Sequence, residues 1–238
     1  MSTSPHSSNL LLASLPPADM SALQPHLKFV ELPQGTVLFE VGDKVEQIYF
    51  PHSGIVSLVV ILASGDMIEA AMVGRESLVG AAAALNGRVA MNKAIMQIAG
   101  AASVLDAEEL RRLAAQDVVF RTRLIAHEEL ILAQAQQAAA CNAIHTLEAR
   151  LARWLLRCRD LTGRDDLPLT QEFLAEMLAV RRTSVSLVAN TLQKAGFLRY
   201  RRGHIRILDV DALRESACEC YHTIRAHSVR LLAPPADA

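Results

Sequence analysis

Apolar residues follow three different rhythms along this chain. Between residues 28 and 106 they come in short runs: Lys28–Leu32, Val37–Phe39, Gln47–Phe50, Ile55–Leu62, Met67–Ala71, Lys93–Ile98 and Ala101–Leu105. Turn-forming clusters separate them, among them Pro33-Gln34-Gly35, Gly42-Asp43, His52-Ser53-Gly54, Ser64-Gly65-Asp66 and Gly74-Arg75-Glu76. Short strands punctuated about every 8 to 12 residues predict a closed antiparallel sandwich or barrel.

From Ala107 to Asp160 the chain has no Pro and no Gly, and helix formers dominate. Asp106, three residues before Glu109, can open this stretch with a capping box. Asp117 to Ala140 predicts one helix of about 24 residues, roughly 36 Å long. Leu124, Ile131 and Ala138 recur every seven residues, with Phe120, His127, Gln134 and Cys141 between them. A second stripe runs through Ala126, Leu130, Ala133 and Gln137. Two partly apolar faces imply a helix packed on its own domain and on a second copy of the chain. Phe120, Leu124, His127, Ile131, Gln134 and Ala138 are expected at the contact between copies. The alternative is a helix buried within one subunit.

The third rhythm begins near Cys141. A helix Ile144–Arg159 leads to a loop ending at Leu167-Pro168, and Thr170 then caps a short helix, Gln171–Leu178. The tight turn Ala179-Val180-Arg181 precedes a second helix, Arg182–Ala195, closed by Gly196. Val185, Val188, Ala189 and Leu192 face inward at helical spacing. Leu198–Tyr200 and His204–Leu208 pair as a hairpin around Arg202-Gly203, and a last helix is expected over Val210–His227. Helix, turn, helix and basic hairpin form a winged helix-turn-helix. The expected domains are 1–116, a sheet domain with flanking helices; 117–140, a dimerisation helix; and 141–238, a nucleic-acid-binding domain.

Composition narrows the class. The chain has 238 residues, 51% hydrophobic and 21% charged, enough for one large or two modest domains. Four cysteines are too few for a disulfide scaffold. Met1–Met20 carries no Lys or Arg, and no apolar run approaches the roughly 20 residues of a membrane span. A soluble cytoplasmic protein with reduced thiols and no membrane partner is expected.

The net charge of −1 hides a polarity. Residues 1–116 hold 7 Lys and Arg against 11 Asp and Glu, whereas residues 141–238 hold 15 against 11. Between Met177 and Leu208 stand Arg181, Arg182, Lys194, Arg199, Arg201, Arg202 and Arg206, without one acidic residue. A solvated face would mix the signs; a single-sign stretch on the second helix and the wing is the footprint of a phosphate backbone. The first turns of that helix offer Arg182, Thr183, Ser186, Leu187 and Asn190 to base edges in a major groove. Arg182 can fork onto guanine, and Leu187 can meet a thymine methyl. Thr170, Gln171, Arg181, Arg201, Arg202 and His204 are expected on the flanking backbone. The competing use is a winged helix that contacts proteins.

These residues together resemble the Crp-Fnr (cyclic-AMP receptor and fumarate-nitrate regulator) family of bacterial transcription regulators, over roughly residues 10 to 230. The segment Gly42-Asp43 through Tyr49-Phe50-Pro51 to Gly54, the segment Gly74-Arg75-Glu76-Ser77-Leu78-Val79-Gly80, and the helix-turn-helix from Thr170 through Arg182-Thr183 to Val185 carry the resemblance. It implies an α+β fold: an N-terminal double-stranded β-helix or jelly roll of the cyclic-nucleotide-binding kind, a long dimerisation helix and a C-terminal winged helix-turn-helix. It also implies double-stranded DNA with a palindromic operator as partner, a homodimer, and RNA polymerase as a further candidate partner. The family's base-reading pair, Arg then Glu, stands here as Arg182 then Thr183, and a further family Arg is replaced by Leu187, so the relatives' half-site does not transfer.

The roll departs further. Cyclic-nucleotide binders of the family place an Arg-Ser or Arg-Thr pair after the Gly-Glu segment, whereas this chain offers Arg88 and Asn92 with no hydroxyl neighbour. Arg75, Glu76, Arg88 and Asn92 are the candidate effector residues, with Arg75 and Glu76 able instead to pair within their loop. A cyclic nucleotide is not expected, and the cofactor, if any, is open. The four cluster cysteines of oxygen-sensing relatives are lacking, since no cysteine precedes Cys141, so no iron–sulfur cluster is expected. His52 is the available haem ligand but falls in a turn.

Other chemistry is sparse. Cys141 and His145 are four apart on one helical face and form half a metal site or a packed hinge. Cys218, Cys220 and His222 offer soft ligands, but on a continuous helix Cys218 and Cys220 point about 200° apart. No metal is therefore assigned. No phosphate loop, metalloprotease pair or nucleophile elbow marks an enzyme. Two functions stay open: a regulator whose roll takes a small effector, and one whose roll is a protein-interaction module.

Overall fold

The computed structural model describes residues 5–85, 87 and 89–232. Two short helices, α1 (Leu10–Ala13) and α2 (Pro17–Leu23), precede a sandwich of seven strands: β1 (Lys28–Leu32), β2 (Val37–Phe39), β3 (Gln47–Pro51), β4 (Ile55–Ile61), β5 (Met67–Val73), β6 (Lys93–Ile98) and β7 (Gly100–Asp106). One sheet has the order β1-β7-β3 and the other β2-β6-β4-β5, with every pairing antiparallel. Asn9 pins the leading helix to this body. Its carboxamide accepts from Leu12 N–H and donates to the carbonyls of Pro51 and Ser77, which satisfies a fully buried polar group. Where the chain turns between sheets, a Cβ on Gly100 would lie 2.1 Å from the Ser53 carbonyl oxygen, so only glycine fits.

Strand β4 departs from simple alternation: Ile55, Val56, Ser57, Leu58 and Val59 are all buried. A strand buried on both sides needs a second cover. Val56 and Leu58 enter the sandwich core with Phe50, Met96 and Leu105. Ile55 and Val59, with Met72 and Ile98, pack instead with residues of the C-terminal part, including Trp154, Leu155 and Leu161.

Helix α3 (Ala81–Leu85) is inserted between β5 and β6, and the sandwich is followed by α4 (Ala107–Gln116), α5 (Val118–Ile144) and α6 (Leu147–Thr162). Asp117 caps α5 by accepting from Phe120 N–H. Helix α5 runs four residues past the expected Ala140 and takes in Cys141. It stops because Thr146 caps α6 and pulls His145 into extended backbone. Then come β8 (Asp166–Leu167), α7 (Gln171–Met177), α8 (Arg182–Lys194), β9 (Leu198–Arg201) and β10 (His204–Ile207), the three strands forming the sheet β8-β10-β9. Arg202 and Gly203 turn the hairpin with φ of 48° and 80°, the doubly positive geometry that matches strand twist. The last expected helix is two: α9 (Val210–Ser216) and α10 (Cys220–Leu232), separated by extended Ala217.

The face of α5 expected between copies is used inside the chain. Phe120, Leu124, His127 and Gln134 are buried against the roll, and Ile131 packs there too. The polar members explain the choice, because both find partners in the roll. Ser77 Oγ donates to His127 Nε2 at 2.5 Å, and Met72 N–H donates to Gln134 Oε1 at 3.3 Å. Gln137, on the second stripe, meets Cys220 at the start of α10. A third stripe of α5, formed by Val118, Ile125, Leu132 and Ala139, is exposed.

Candidate nucleic-acid interface, effector roll and the seam between them

Helix α8 is set by the turn before it. Thr170 accepts from Phe173 N–H to start α7, and the turn passes through left-handed Ala179 (φ 51°), a departure worth roughly 1–2 kcal/mol. Val185, Ala189 and Leu192 are buried beneath α8, and Val188 packs with them. The opposite face presents Arg182, Thr183, Leu187 and Asn190 to solvent; Leu187 is 70% exposed, unusual for leucine. All seven basic residues of the single-sign stretch are exposed.

Besides the capping Thr170, four of the sequence-derived positions make contacts inside the protein. Ser186 Oγ lies 2.6 Å from Gln171 Oε1 and 3.0 Å from the Arg182 carbonyl oxygen, so Ser186 and Gln171 hold α8 on α7 rather than facing outward. His204 Nδ1 is 2.8 Å from Asp166. Arg182 makes a looser contact, 3.5 Å, with Glu172, and both side chains are largely exposed, so little holds it. The N-terminal end of α8 borders a cleft whose other wall is the β4–β5 turn: Leu62, Gly65, Asp66 and Met67 face Glu172, Ala175, Arg181 and Arg182.

The effector residues scatter. Arg88 lies outside the described residues. Arg75 is exposed. Glu76, expected to pair with Arg75 or an effector, is buried and bound to Arg157 of α6 at 2.5 Å. A buried carboxylate needs a fixed counter-charge, and α6 supplies it. Among the described candidates Asn92 alone lines the roll's inner cavity, a space of about 150 Å³ shared with Leu58, Leu78, Ala83, Met91, His127 and Ile131. Its walls are chiefly apolar.

The seam between roll and α6 lies beyond what the sequence pattern predicts. Trp154 Nε1 donates to Glu69 Oε1 at 2.9 Å. Ser57 Oγ lies 2.6 Å from both Glu69 Oε2 and Gln97 Oε1, and one hydroxyl proton serves only one of them. A protonated Glu69 resolves this by donating to Ser57, which donates on to Gln97. Glu69 keeps some surface, yet its carboxyl is enclosed. That enclosure raises its pKa to about 7, against the opposing pull of Ser57, Arg153, Trp154 and Arg157. The available signal is Arg150, Arg153 and Arg157 at helical spacing, interleaved with the apolar residues Leu151, Trp154, Leu155 and Cys158; all three arginines are buried.

At the elbow between α5 and α6, the two sequence-separated soft clusters merge: Cys141 and His145 meet Cys218 and Cys220, while His222 is exposed and outside the group.

Comparison with known proteins agrees with this architecture. A model described as the Crp-like helix-turn-helix domain matches residues 149–216, and one described as the cyclic nucleotide-binding domain matches residues 29–117. No curated protein matches. Among solved structures the chain is similar to FixK2 from Bradyrhizobium japonicum (17% identity, 81% of this chain and 98% of that one, TM-score 0.67). It is similar to the c-di-GMP-responsive global regulator CLP of Xanthomonas campestris (17%, 80% and 98%, 0.65). It is also similar to a CRP-family transcriptional regulator from Thermus thermophilus (24%, 79% and 96%, 0.65). With both domain models matched in order along one chain whose fold is a roll, a long helix and a winged helix-turn-helix, the protein belongs to the Crp-Fnr family of DNA-binding regulators.

Proposed function

We propose that the protein is a sequence-specific regulator of transcription that works in the cytoplasm as a homodimer on a palindromic operator. Residues 1–116 sense, the helix from 117 dimerises and transmits, and the residues from 141 to 238 read DNA. Arg182, Thr183, Leu187 and Asn190 read bases; Arg181, Arg201 and Arg202 hold phosphates. The observation that carries this is the unbroken exposure of like charge over α8 and its wing. Two copies would address half-sites about 34 Å apart. Contact with RNA polymerase rests on the family resemblance alone. Selection from a random duplex library with the full chain tests the reading: recovery of an inverted repeat is expected, and sequence-independent recovery would overturn it.

The pairing surface in this reading is the uncovered stripe of α5, Val118, Ile125, Leu132 and Ala139, spaced every seven residues. Leu132→Glu is expected to give a monomer by sedimentation and to weaken operator binding strongly; unchanged mass would refute this face.

Control runs through the seam. A signal at the roll changes how α6 sits on β4, β5 and β6, and with it the direction of α8. The small apolar cavity supports an effector that is itself small and largely uncharged. It equally supports the second reading, a roll controlled by a protein partner, because drug-sized ligands usually need about 300 Å³ or more.

A further inference from the structure

We propose that Cys141, His145, Cys218 and Cys220 form a mononuclear Cys3His metal site that holds a zinc-class divalent ion at the α5–α6 elbow. The ligand atoms all lie within 4.8 Å of one another. Around a tetrahedral zinc, thiolates at about 2.3 Å and an imidazole nitrogen at about 2.0 Å stand roughly 3.5–3.8 Å apart. Cys141 Sγ and Cys218 Sγ are 3.5 Å apart, and Cys220 Sγ is 3.5 Å from His145 Nδ1.

Chain geometry makes the convergence possible. On a continuous helix Cys218 and Cys220 would diverge, but α9 stops at Ser216 and α10 begins at Cys220, so the turn between them brings both thiols inward. The other two ligands come from the last turn of α5 and the residue that ends it. The ion therefore ties together two segments more than 70 residues apart, and only two short turns need to be held in place for it.

The surroundings are those of a ligand set rather than of a packed core. Buried free cysteine often acts as a small hydrophobe. That use explains neither the sharing of one pocket by three thiols nor the orientation of His145. The imidazole points Nδ1 at Cys220 and places Nε2 3.2 Å from the Glu219 carboxylate. A carboxylate behind the distal nitrogen is the arrangement that orients metal-bound histidine. Gln137 Nε2 donates to Cys220 Sγ at 3.0 Å, as amides do to coordinated thiolates. Three thiolates and a divalent ion leave one negative charge, and the Arg153 and Arg150 guanidinium groups act electrostatically on these cysteines. Loading releases the thiol protons to solvent and oxidises nothing.

The test uses untagged full-length protein purified under reducing conditions from zinc-supplemented cells. About one zinc per chain is expected by mass spectrometry. Replacement by Co2+ should give the d–d bands and thiolate charge-transfer absorption of a tetrahedral thiolate site. Cys218→Ser and Cys141→Ser should each lower zinc affinity at least tenfold, while His222→Ala keeps it. Should those variants misfold, the Co2+ spectrum of the parent still decides. Less than a tenth of an equivalent of zinc without Co2+ bands would overturn the proposal. So would bound iron with sulfide, or a Cys141–Cys218 disulfide as the stable form in glutathione. None of these readouts involves DNA, so the metal site and the operator reading stand or fall separately.

Discussion

Arginine serves two opposite ends in this molecule. On α6, Arg150, Arg153 and Arg157 are buried, with Arg157 on Glu76, Arg153 near Glu69 and Arg150 donating to the Leu178 carbonyl at 2.5 Å. On α8 and the wing, Arg181, Arg182, Arg201 and Arg202 stand in water. A guanidinium taken out of water must find fixed acceptors, and once it has them it is committed to holding the fold. One left hydrated keeps its charge for a partner that arrives later. The roll is thus fastened to α6 by charge that DNA never meets.

The sharpest way to break the contrast is at Arg157. Arg157→Met leaves Glu76 buried without its counter-charge and should cost about 3–5 kcal/mol in urea unfolding, much of which the double change with Glu76→Gln should restore. An exposed arginine changed in the same way should move stability by less than about 0.5 kcal/mol.

Glu69 gives the seam a pH dependence. The folded protein keeps the Glu69 proton up to about pH 7, whereas the unfolded chain loses it near 4.5. Folding therefore takes up a proton between those values. The resulting stability is complete below the lower value and is lost as pH rises through the upper one. Glu69→Gln, which keeps the shape and cannot ionise, should be more stable than the parent by roughly 3 kcal/mol at about pH 8 and should flatten the slope between about pH 5 and 7. An unchanged pH profile would show that Glu69 is ionised in the fold.

On the exposed side, Arg182→Ala should cost about 1–3 kcal/mol at one base pair and relax preference there, with no change in folding. Arg201→Ala should have the smallest effect: uniformly weaker binding to all sequences and a salt slope lower by about one, measured by titration at several ionic strengths. Identical outcomes for the two would mean that α8 does not carry the base readout.

The sequence made the local elements legible and the long-range pairings much less so. Strands β1, β2 and β6 have the predicted limits because turn residues flank them on both sides. Helix α8 was readable because its buried positions keep strict helical spacing. The partner of α5 was not, because periodicity gives a face and leaves open what covers it: His127 and Gln134 look like seam residues of a coiled coil until Ser77 and Met72 N–H are placed beside them. The break between α9 and α10 carries neither Pro nor Gly, so nothing local announced it. The candidate base-reading side chains could be named from charge and position alone. Ser186 could not be sorted from them, since its hydroxyl is taken by Gln171, fifteen residues earlier.

Leu187 is exposed in the middle of the face of α8 proposed to read bases. Discrimination that rests on a leucine against a methyl group involves no ions. Raising ionic strength should strip away affinity held through phosphates while leaving the ratio between a methyl-bearing step and its unmethylated counterpart nearly constant. At that position the protein would stay selective under conditions in which it hardly binds at all.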